Sequence, residues 1–427
     1  MADKIRFIHV ADAHLGRQFA RSGDVPSALG NRLRSATYDA FTEAVEHALR
    51  ERVDFVVLAG DTVDSADLNL KARAFLVAQL ARLGDAGIQV FMVYGNHDPA
   101  SAIGARQTPF PPNVHVFSTT EVEEVSRTTA DGRSYTVYGR SFETRAVSDP
   151  DFAAGYRRRP GTENAVAVLH TNVGGQAGHD NYAPTTVSAL SAAGMDYWAL
   201  GHIHQAGVLA SGNPTIVYAG STQPLQPNET GDHGCYLVEL AGGVSSLTWL
   251  PTARVGVVHA EVNTTGLDSV FELPAVAARA VEAACAQSVA PSTLVRLIIT
   301  GSRSFDEPLQ GETLAELIDA VRDEVSASGI DAWVTQKVVD RSRRDLSEEM
   351  AQSANPFVHS ILNADSDATL LRTALDAGKD RLGAGTKVSP GASAAVPDLV
   401  SSLESREGDI LAAARELAYS YLMGGGA

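Results

Sequence analysis

Five short apolar segments in the first 204 residues each end in a cluster of aspartate, histidine or asparagine side chains. In chain order, the clusters are Asp12-Ala13-His14, Gly60-Asp61-Thr62-Val63-Asp64, Gly95-Asn96-His97-Asp98, His170 and Gly201-His202-Ile203-His204. Open α/β sheets place their sites at the carboxyl ends of strands, and glycine lets the backbone turn sharply beside such a site. One Asp or His after a strand is usually a turn residue, but five clusters in order predict a shared functional site.

The apolar segments alternate with amphipathic helical patterns. We predict strands over 5–11, 54–59, 88–93, 135–140, 165–169 and 197–200, and helices over 33–49 and 68–83. Continuous apolar strands joined by helices indicate a sheet covered on both faces. After His204, short strands at 208–210, 215–219, 235–240 and 245–250 are separated by Gly, Asn and Pro, which is typical of antiparallel hairpins. The predicted fold class is α/β (α+β), a mixed β-sandwich flanked by helices.

The pattern divides the 427 residues into three parts. Residues 1–254 form the sandwich domain. Residues 255–343 follow the order strand, helix, strand, helix, strand of a small α/β domain. Residues 344–427 are predicted as a helical C-terminal region. Within it, 382–397 is rich in small residues, Gly and Pro, which is typical of a flexible linker.

The residue types in the five clusters suit a pair of divalent metal ions. Two ions about 3.5–4 Å apart activate water and clamp the oxygens of a phosphate for in-line displacement. Such a pair needs a carboxylate that bridges both ions, and Asp61 is our choice for it. Neutral imidazoles complete the ligand shells, and a mixed oxygen and nitrogen set without thiolate favours Mn²⁺ or a similar first-row metal over a structural zinc. His97 follows the candidate amide ligand Asn96 and is the candidate general acid.

The motifs D-x-H, G-D-x-x-D, G-N-H-D, a lone His and G-H-x-H, in this order, resemble those of the calcineurin-like metallophosphoesterase superfamily. The resemblance implies a β-sandwich flanked by helices, with two metal ions at one edge. It implies that one ion is held by Asp12, His14, Asp61 and His204. It implies that the other is held by Asp61, Asn96, His170 and His202, with His97 as the acid.

Two further stretches are similar to the meiotic-recombination-eleven and SbcD-type DNA repair exonucleases. They are the opening F-I-H-V-A-D-A-H-L-G and the segment from Tyr218 to Leu240. The resemblance implies an exonuclease, with or without endonuclease activity, that acts on DNA together with a coiled-coil ATPase of the SbcC type. It also implies that the small α/β domain is a capping domain and that the C-terminal helices dock onto the ATPase. Archaeal members have a second histidine where this chain has Asp64. We assign Asp64 to the catalytic residues as a group that orients a ligand or the DNA.

The charge of the chain bears on how DNA would be held. A net charge of 34 − 51 = −17 excludes binding by a broad basic face alone. Two divalent ions would attract a polyanion locally, because the Debye length at physiological salt is about 8 Å. Arg17 and Arg21 follow the first cluster and His233 lies in the nuclease-like stretch, so these three residues are candidate DNA contacts.

Two other functions stay open at this point. A small-molecule or cyclic-nucleotide phosphodiesterase or phosphatase would need only the first domain. Protein phosphatases are disfavoured, because Ser65 and Tyr94 stand where those enzymes usually have arginines. A non-catalytic DNA-binding scaffold subunit is disfavoured because every expected ligand position is filled.

Targeting signals and cysteine content indicate the compartment. No apolar run reaches the ~18 residues of a membrane helix, and we expect no signal peptide before the first strand. Cys235 and Cys285 are far apart, so a disulfide framework is not expected. We expect a cytoplasmic, nucleoid-associated protein without a membrane partner, and a homodimer is a further candidate assembly.

Overall fold

A computed structural model describes residues 4–19, 25–64, 70–103, 109–176, 180–305 and 309–344. The predicted C-terminal region from 345 onward, with its linker at 382–397, lies outside the described residues, and so does Arg21. The first part of the chain contains, in order, β1 (Ile5–Val10), α1 (Ser27–Glu51), β2 (Phe55–Ala59), α2 (Leu70–Asp85), β3 (Gln89–Val93), α3 (Ala100–Ile103), β4 (Val114–Val116), β5 (Glu123–Thr128), β6 (Ser134–Gly139), β7 (Ala165–His170), α4 (Val187–Ala192) and β8 (Tyr197–Gly201). It continues with β9 (Gly207–Ala210), β10 (Thr215–Tyr218), β11 (Gly234–Ala241) and β12 (Val244–Pro251).

These strands form two six-stranded sheets. The first has the order β12-β11-β1-β2-β3-β4 and the second the order β5-β6-β7-β8-β10-β9. Strands β1 to β4 are parallel to one another, and so are β6, β7, β8 and β10. The antiparallel strands lie at the ends of each sheet. Both sheets are therefore mixed, as predicted.

The main core lies between the two sheets. Phe7 and Phe55 of the first sheet pack in one buried cluster with Val137 and Tyr197 of the second. Alternate residues of the same strands, such as Ile8, face the opposite way and pack against helices α1 and α2 in a second cluster. Because successive side chains of a strand point to opposite faces, the near-continuous apolar strands fit a sheet covered on both sides. The predicted β-sandwich flanked by helices is confirmed. None of the helices in the described ranges has the length and apolar character needed to cross a membrane.

The strands after His204 depart in part from the predicted hairpins. The pairs β9–β10 and β11–β12 are antiparallel, as expected. However, β10 also lies parallel to β8, and β11 lies antiparallel to β1 in the other sheet. These four strands therefore extend both sheets of the sandwich rather than forming a separate layer. The strands β4 and β5 were not predicted.

The small α/β elements follow the predicted order. They are β13 (Val255–Asn263), a 3₁₀ turn (Val270–Glu272), α5 (Leu273–Cys285), β14 (Ser292–Thr300), β15 (Ser302–Arg303), α6 (Gly311–Ala327), β16 (Ala332–Val334), β17 (Val339–Asp340) and β18 (Arg343–Arg344). The chain divides into two compact units. The first contains Met1–Ala260, Ala277–Leu297 and Ile318–Val338, and the second contains Glu261–Val276, Ile298–Leu317 and the described residues from Val339. The domain boundaries at 254 and 343 stay predictions.

Candidate metal centre

The predicted clusters lie at the carboxyl ends of parallel strands in both sheets, because β1, β2, β3, β7 and β8 each end beside one of them. Four cluster residues turn the chain there with left-handed backbone: φ is 48° at Asp12, 42° at His14, 48° at Asp61 and 101° at His202. Non-glycine residues at positive φ are uncommon and cost on the order of 1–3 kcal/mol each. Such strain persists where the surroundings over-determine it, which is typical of functional sites.

Three glycines of the motifs allow the strand ends to approach one another. A Cβ atom on Gly60 would collide with the ring of His170, and one on Gly95 would collide with Asp61 Oδ1. A Cβ on Gly201 would overlap the carbonyl oxygen of Ala59. These positions therefore need glycine for close packing around the site, whatever the backbone angle.

One group of donor atoms consists of Asp12, His14 and His204, whose ligand atoms all lie within 4.8 Å of one another. The Nε2 atoms of the two histidines are 3.1 Å apart. Asp12 and His14 are buried, whereas His204 is partly exposed. Asp61 lies beside this group, with Oδ2 3.8 Å from His14 Nε2.

A second group consists of Asp12, Asp61 and His170, again within 4.8 Å. Asp61 Oδ2 lies 3.5 Å from His170 Nε2, so the same oxygen is close to both groups. Asn96 Oδ1 adds an amide oxygen 2.9 Å from His170 Nε2 and 3.2 Å from His202 Nδ1. All seven predicted metal ligands are therefore gathered at one place.

The chemistry of this donor set fits divalent cations. Burial, and after it the neighbouring Asp61 carboxylate, raise the pKa of Asp12 well above its usual range. Two adjacent buried carboxylates are costly without a cation between or beside them. Burial also lowers the pKa values of His14 and His170, which keeps their imidazoles neutral and able to bind a metal. His14 Nδ1 is buried, and no hydrogen-bond partner for it lies in the described part of the chain.

The candidate catalytic residues form a third group with His14. The ligand atoms of His14, Asp64 and His97 lie within 4.8 Å of one another. His97 Nδ1 is 3.6 Å from Asp64 Oδ2, and Arg17 Nη1 is 3.9 Å from the same oxygen. The neighbouring Asp64 carboxylate raises the pKa of His97, which outweighs the effect of burial. His97 is only partly buried, so the imidazole and its carboxylate partner can face a bound substrate.

Asp98 has a role that the sequence analysis did not assign. This buried carboxylate accepts hydrogen bonds from the backbone nitrogens of Asp61, Thr62, Val63 and Gly95. It thereby holds the turn after β2 against the turn after β3. Its place in the motif G-N-H-D was the available signal, because carboxylates in turns commonly accept backbone hydrogen bonds.

Glu229 was also missed. Its Oε1 lies 2.9 Å from His204 Nδ1, and its Oε2 accepts a hydrogen bond from Leu225 N at 2.7 Å. Burial opposes ionisation, but the hydrogen bond from His204 and the other contacts outweigh it and lower the pKa of Glu229. Its position 25 residues after His204 follows no periodic pattern that would have singled it out.

The candidate DNA contacts have different outcomes. Arg17 lies at the edge of the site beside Asp64. Arg21 lies outside the described residues. His233 is 4% exposed, and its Nδ1 is 2.8 Å from Ser221 Oγ. This position favours a packing role for His233 over contact with a polymer.

The fold and the donor set together define a metallophosphoesterase: a helix-flanked two-sheet sandwich with overlapping carboxylate and imidazole groups at one edge. Comparison with known families agrees. Residues 5–206 match the family described as calcineurin-like phosphoesterase, and this part of the chain is a calcineurin-like metallophosphoesterase domain.

Three curated relatives show where the similarity extends. The uncharacterized metallophosphoesterase YhaO of Bacillus subtilis is 40% identical over 245 residues, which cover 57% of this chain and 59% of the relative. The DNA double-strand break repair protein Mre11 of Sulfurisphaera tokodaii is 25% identical over 57% of this chain and 62% of the relative. One subunit of the nuclease SbcCD of Rhodobacter capsulatus is 27% identical over 56% of this chain and 68% of the relative. The chain thus spans about three-fifths of the length of the curated relatives it matches.

Proposed function

We propose that this protein is a Mn²⁺-dependent DNA exonuclease that hydrolyses phosphodiester bonds and works with a coiled-coil ATPase of the SbcC type. The observation that carries the choice of DNA is the similarity to Mre11 and to the SbcCD nuclease, whose names describe DNA break repair and a nuclease. The name of the latter relative also identifies it as one subunit of that nuclease, which supports a partner subunit. A cytoplasmic, nucleoid-associated location and a homodimer are part of the same proposal.

The donor groups support a dinuclear site. We assign Asp12, His14 and His204 to one ion and Asn96, His170 and His202 to the other. Asp61 is assigned to both, because its Oδ2 lies within 3.8 Å of His14 Nε2 and 3.5 Å of His170 Nε2. When bound, two divalent cations polarise the phosphate and lower the pKa of a water molecule at the site.

His97 supplies the acid for the leaving group in this proposal. It carries the proton on its imidazole and donates it to the oxygen that departs from phosphorus. Asp64, 3.6 Å from His97 Nδ1, orients the ring and stabilises its protonated form. Arg17, whose Nη1 lies 3.9 Å from the same Asp64 oxygen, is placed to meet a phosphate of the substrate.

The test is degradation of end-labelled single- and double-stranded linear DNA by the purified protein with Mn²⁺, with and without the SbcC-type ATPase. Release of short labelled products that stops when EDTA is added supports the proposal. Hydrolysis of bis-p-nitrophenyl phosphate with DNA left intact under both conditions would instead indicate a small-molecule phosphodiesterase. A metal titration that gives fewer than two ions per chain would favour the scaffold function.

A further inference from the structure

We propose that Glu229 is a positioning residue that aims the imidazole of His204 at the first metal ion. The inference rests on the proposed dinuclear site. It is carried by the 2.9 Å contact between Glu229 Oε1 and His204 Nδ1, in a pair whose side chains are each 15% exposed.

The side of the ring on which Glu229 lies decides its effect. A carboxylate at Nδ1 accepts a hydrogen bond from Nδ1–H, which fixes the neutral tautomer with its lone pair on Nε2. His204 Nε2 is the atom that faces the donor group, 3.1 Å from His14 Nε2. A neutral histidine ring can carry its proton on either nitrogen. Glu229 selects the tautomer with the proton on Nδ1, which leaves Nε2 as the one atom that can bind the metal.

Glu229 does not itself belong to the groups of carboxylate and imidazole atoms that could hold an ion in the described ranges. Its carboxylate lies on the Nδ1 side of the ring, away from the converging Nε2 atoms. We therefore assign it a role through His204 rather than direct contact with the metal.

The loop that carries Glu229 is fixed at several points. Ser221 N donates to the carbonyl oxygen of His204 at 3.0 Å, which joins the start of the loop to the same ligand. Farther along, Asn228 Oδ1 accepts from Arg296 Nη1 of β14 at 2.8 Å. A loop held at these two points can keep the carboxylate in one position, so less side-chain entropy is lost when the ion binds.

The protein contains a matched pair outside the site. Glu123 Oε1 lies 3.1 Å from His115 Nε2, and Glu123 Oε2 accepts a hydrogen bond from Ser118 N at 3.2 Å. Glu229 also contacts a histidine, His204, and accepts from a backbone nitrogen, that of Leu225, but its contact with His204 is a hydrogen bond, whereas Glu123 meets His115 as an ion pair. Glu123→Ala thus removes a carboxylate–histidine contact of similar length without touching the donor groups.

The experiment is a Mn²⁺ titration of the full-length, metal-free protein, followed by the EPR signal of free Mn²⁺. We expect two ions per wild-type chain. In Glu229→Ala one ion should bind about 10–100-fold more weakly, while the other keeps its affinity. Glu229→Gln should lose less, because its amide oxygen still accepts a hydrogen bond but carries no charge. Glu123→Ala should bind both ions as the wild type does.

Wild-type affinity for both ions in Glu229→Ala, or an equal loss in Glu123→Ala, would overturn the inference. If Glu229→Ala does not fold, unchanged affinities in Glu229→Gln would overturn it in the same way. If the wild-type protein binds two ions but leaves DNA intact, the proposed substrate is refuted. The Glu229→Ala titration then still tests whether Glu229 positions His204. Wild-type protein that binds fewer than two ions overturns both.

Discussion

The backbone nitrogen of Asp61 donates a hydrogen bond to Asp98 Oδ1 at 3.1 Å. The same carboxylate accepts hydrogen bonds from three further backbone nitrogens, those of Thr62, Val63 and Gly95. One buried side chain thus ties together two turns that carry Asp61, Asn96 and His97. Its position links the packing of the turns to the geometry of the proposed ligands.

Asp98→Asn should therefore weaken both folding and metal binding. An amide in place of the carboxylate directs N–H groups at backbone donors and leaves at least one of them unpaired. We expect the free energy of unfolding in urea to fall by about 1–3 kcal/mol, with weaker Mn²⁺ binding.

Asp196, another buried carboxylate, accepts a hydrogen bond from Ala165 N at 2.8 Å. Asp196→Asn should lower stability and leave Mn²⁺ affinity unchanged. Equal Mn²⁺ affinities in the two variants would contradict this role of Asp98.

Gly95→Ala should damage the site through contact rather than through backbone strain. The added Cβ would collide with Asp61 Oδ1 and come within 2.8 Å of His170 Cε1. Displacement of the shared ligand should lower Mn²⁺ affinity and reduce cleavage by roughly 100-fold. Gly207→Ala is the control, because its Cβ would have no atom within 4 Å beyond those of its own residue and its two chain neighbours. Wild-type cleavage by Gly95→Ala would show that the turns can move apart freely.

The sequence was sufficient to predict which side chains gather at the site, because each follows a short apolar strand and parallel strands end at one edge. It could not identify Glu229. Glu229 lies in a loop that contacts the distant residue Arg296 through Asn228. A contact between residues so far apart in the chain leaves no pattern in the local sequence. For Asp98 the motif was visible in the sequence, but only the folded structure shows that its carboxylate accepts hydrogen bonds from four backbone nitrogens.

The fold was predicted less completely at the ends of the sheets. Strand β4 is only three residues long, and β5 (E-E-V-S-R-T) is mostly polar and largely exposed, so neither resembles a buried strand. The parallel pairing of β10 with β8 was missed because short strands separated by Gly and Asn suggest hairpins. Pairing across a crossover depends on tertiary packing rather than on the turn sequence.

Replacement of His97 should separate catalysis from metal binding. His97→Ala removes the proposed acid and keeps the seven proposed ligands, so it should bind two Mn²⁺ while cleavage falls by about 10²–10⁴-fold. Asp61→Ala removes a ligand shared by both ions and should lose metal as well as activity. Isothermal titration with Mn²⁺ and the DNA assay, run on the same preparations, check this division. Equal loss of metal in the two variants would refute it and would favour a ligand role for His97 in the group with His14 and Asp64.

His9 should make the metal-free protein less stable in acid. It is fully buried in β1, with Nδ1 3.0 Å from the Tyr197 hydroxyl and Nε2 3.2 Å from the carbonyl oxygen of Leu200. Burial lowers the pKa of His9 from 6.5 to about 3. Below pH 6.5 the unfolded chain therefore binds a proton at His9, whereas the folded protein binds it only near pH 3. The free energy of unfolding thus decreases as the pH is lowered from 6.5 to 3.

Between pH 7 and pH 4.5 this linkage amounts to about 2.5 kcal/mol. His9→Gln lacks the titrating ring, so its free energy of unfolding should fall less steeply with acid than that of the wild type. Urea unfolding of both proteins in EDTA, at intervals across this range, measures the difference while the other histidines remain common to both. Parallel pH profiles would mean that His9 accepts a proton in the folded state about as readily as in the unfolded chain. In that event the sandwich interior at Tyr197 would have to admit water or rearrange to hold the charge, because an ion this deeply buried is otherwise too costly to keep.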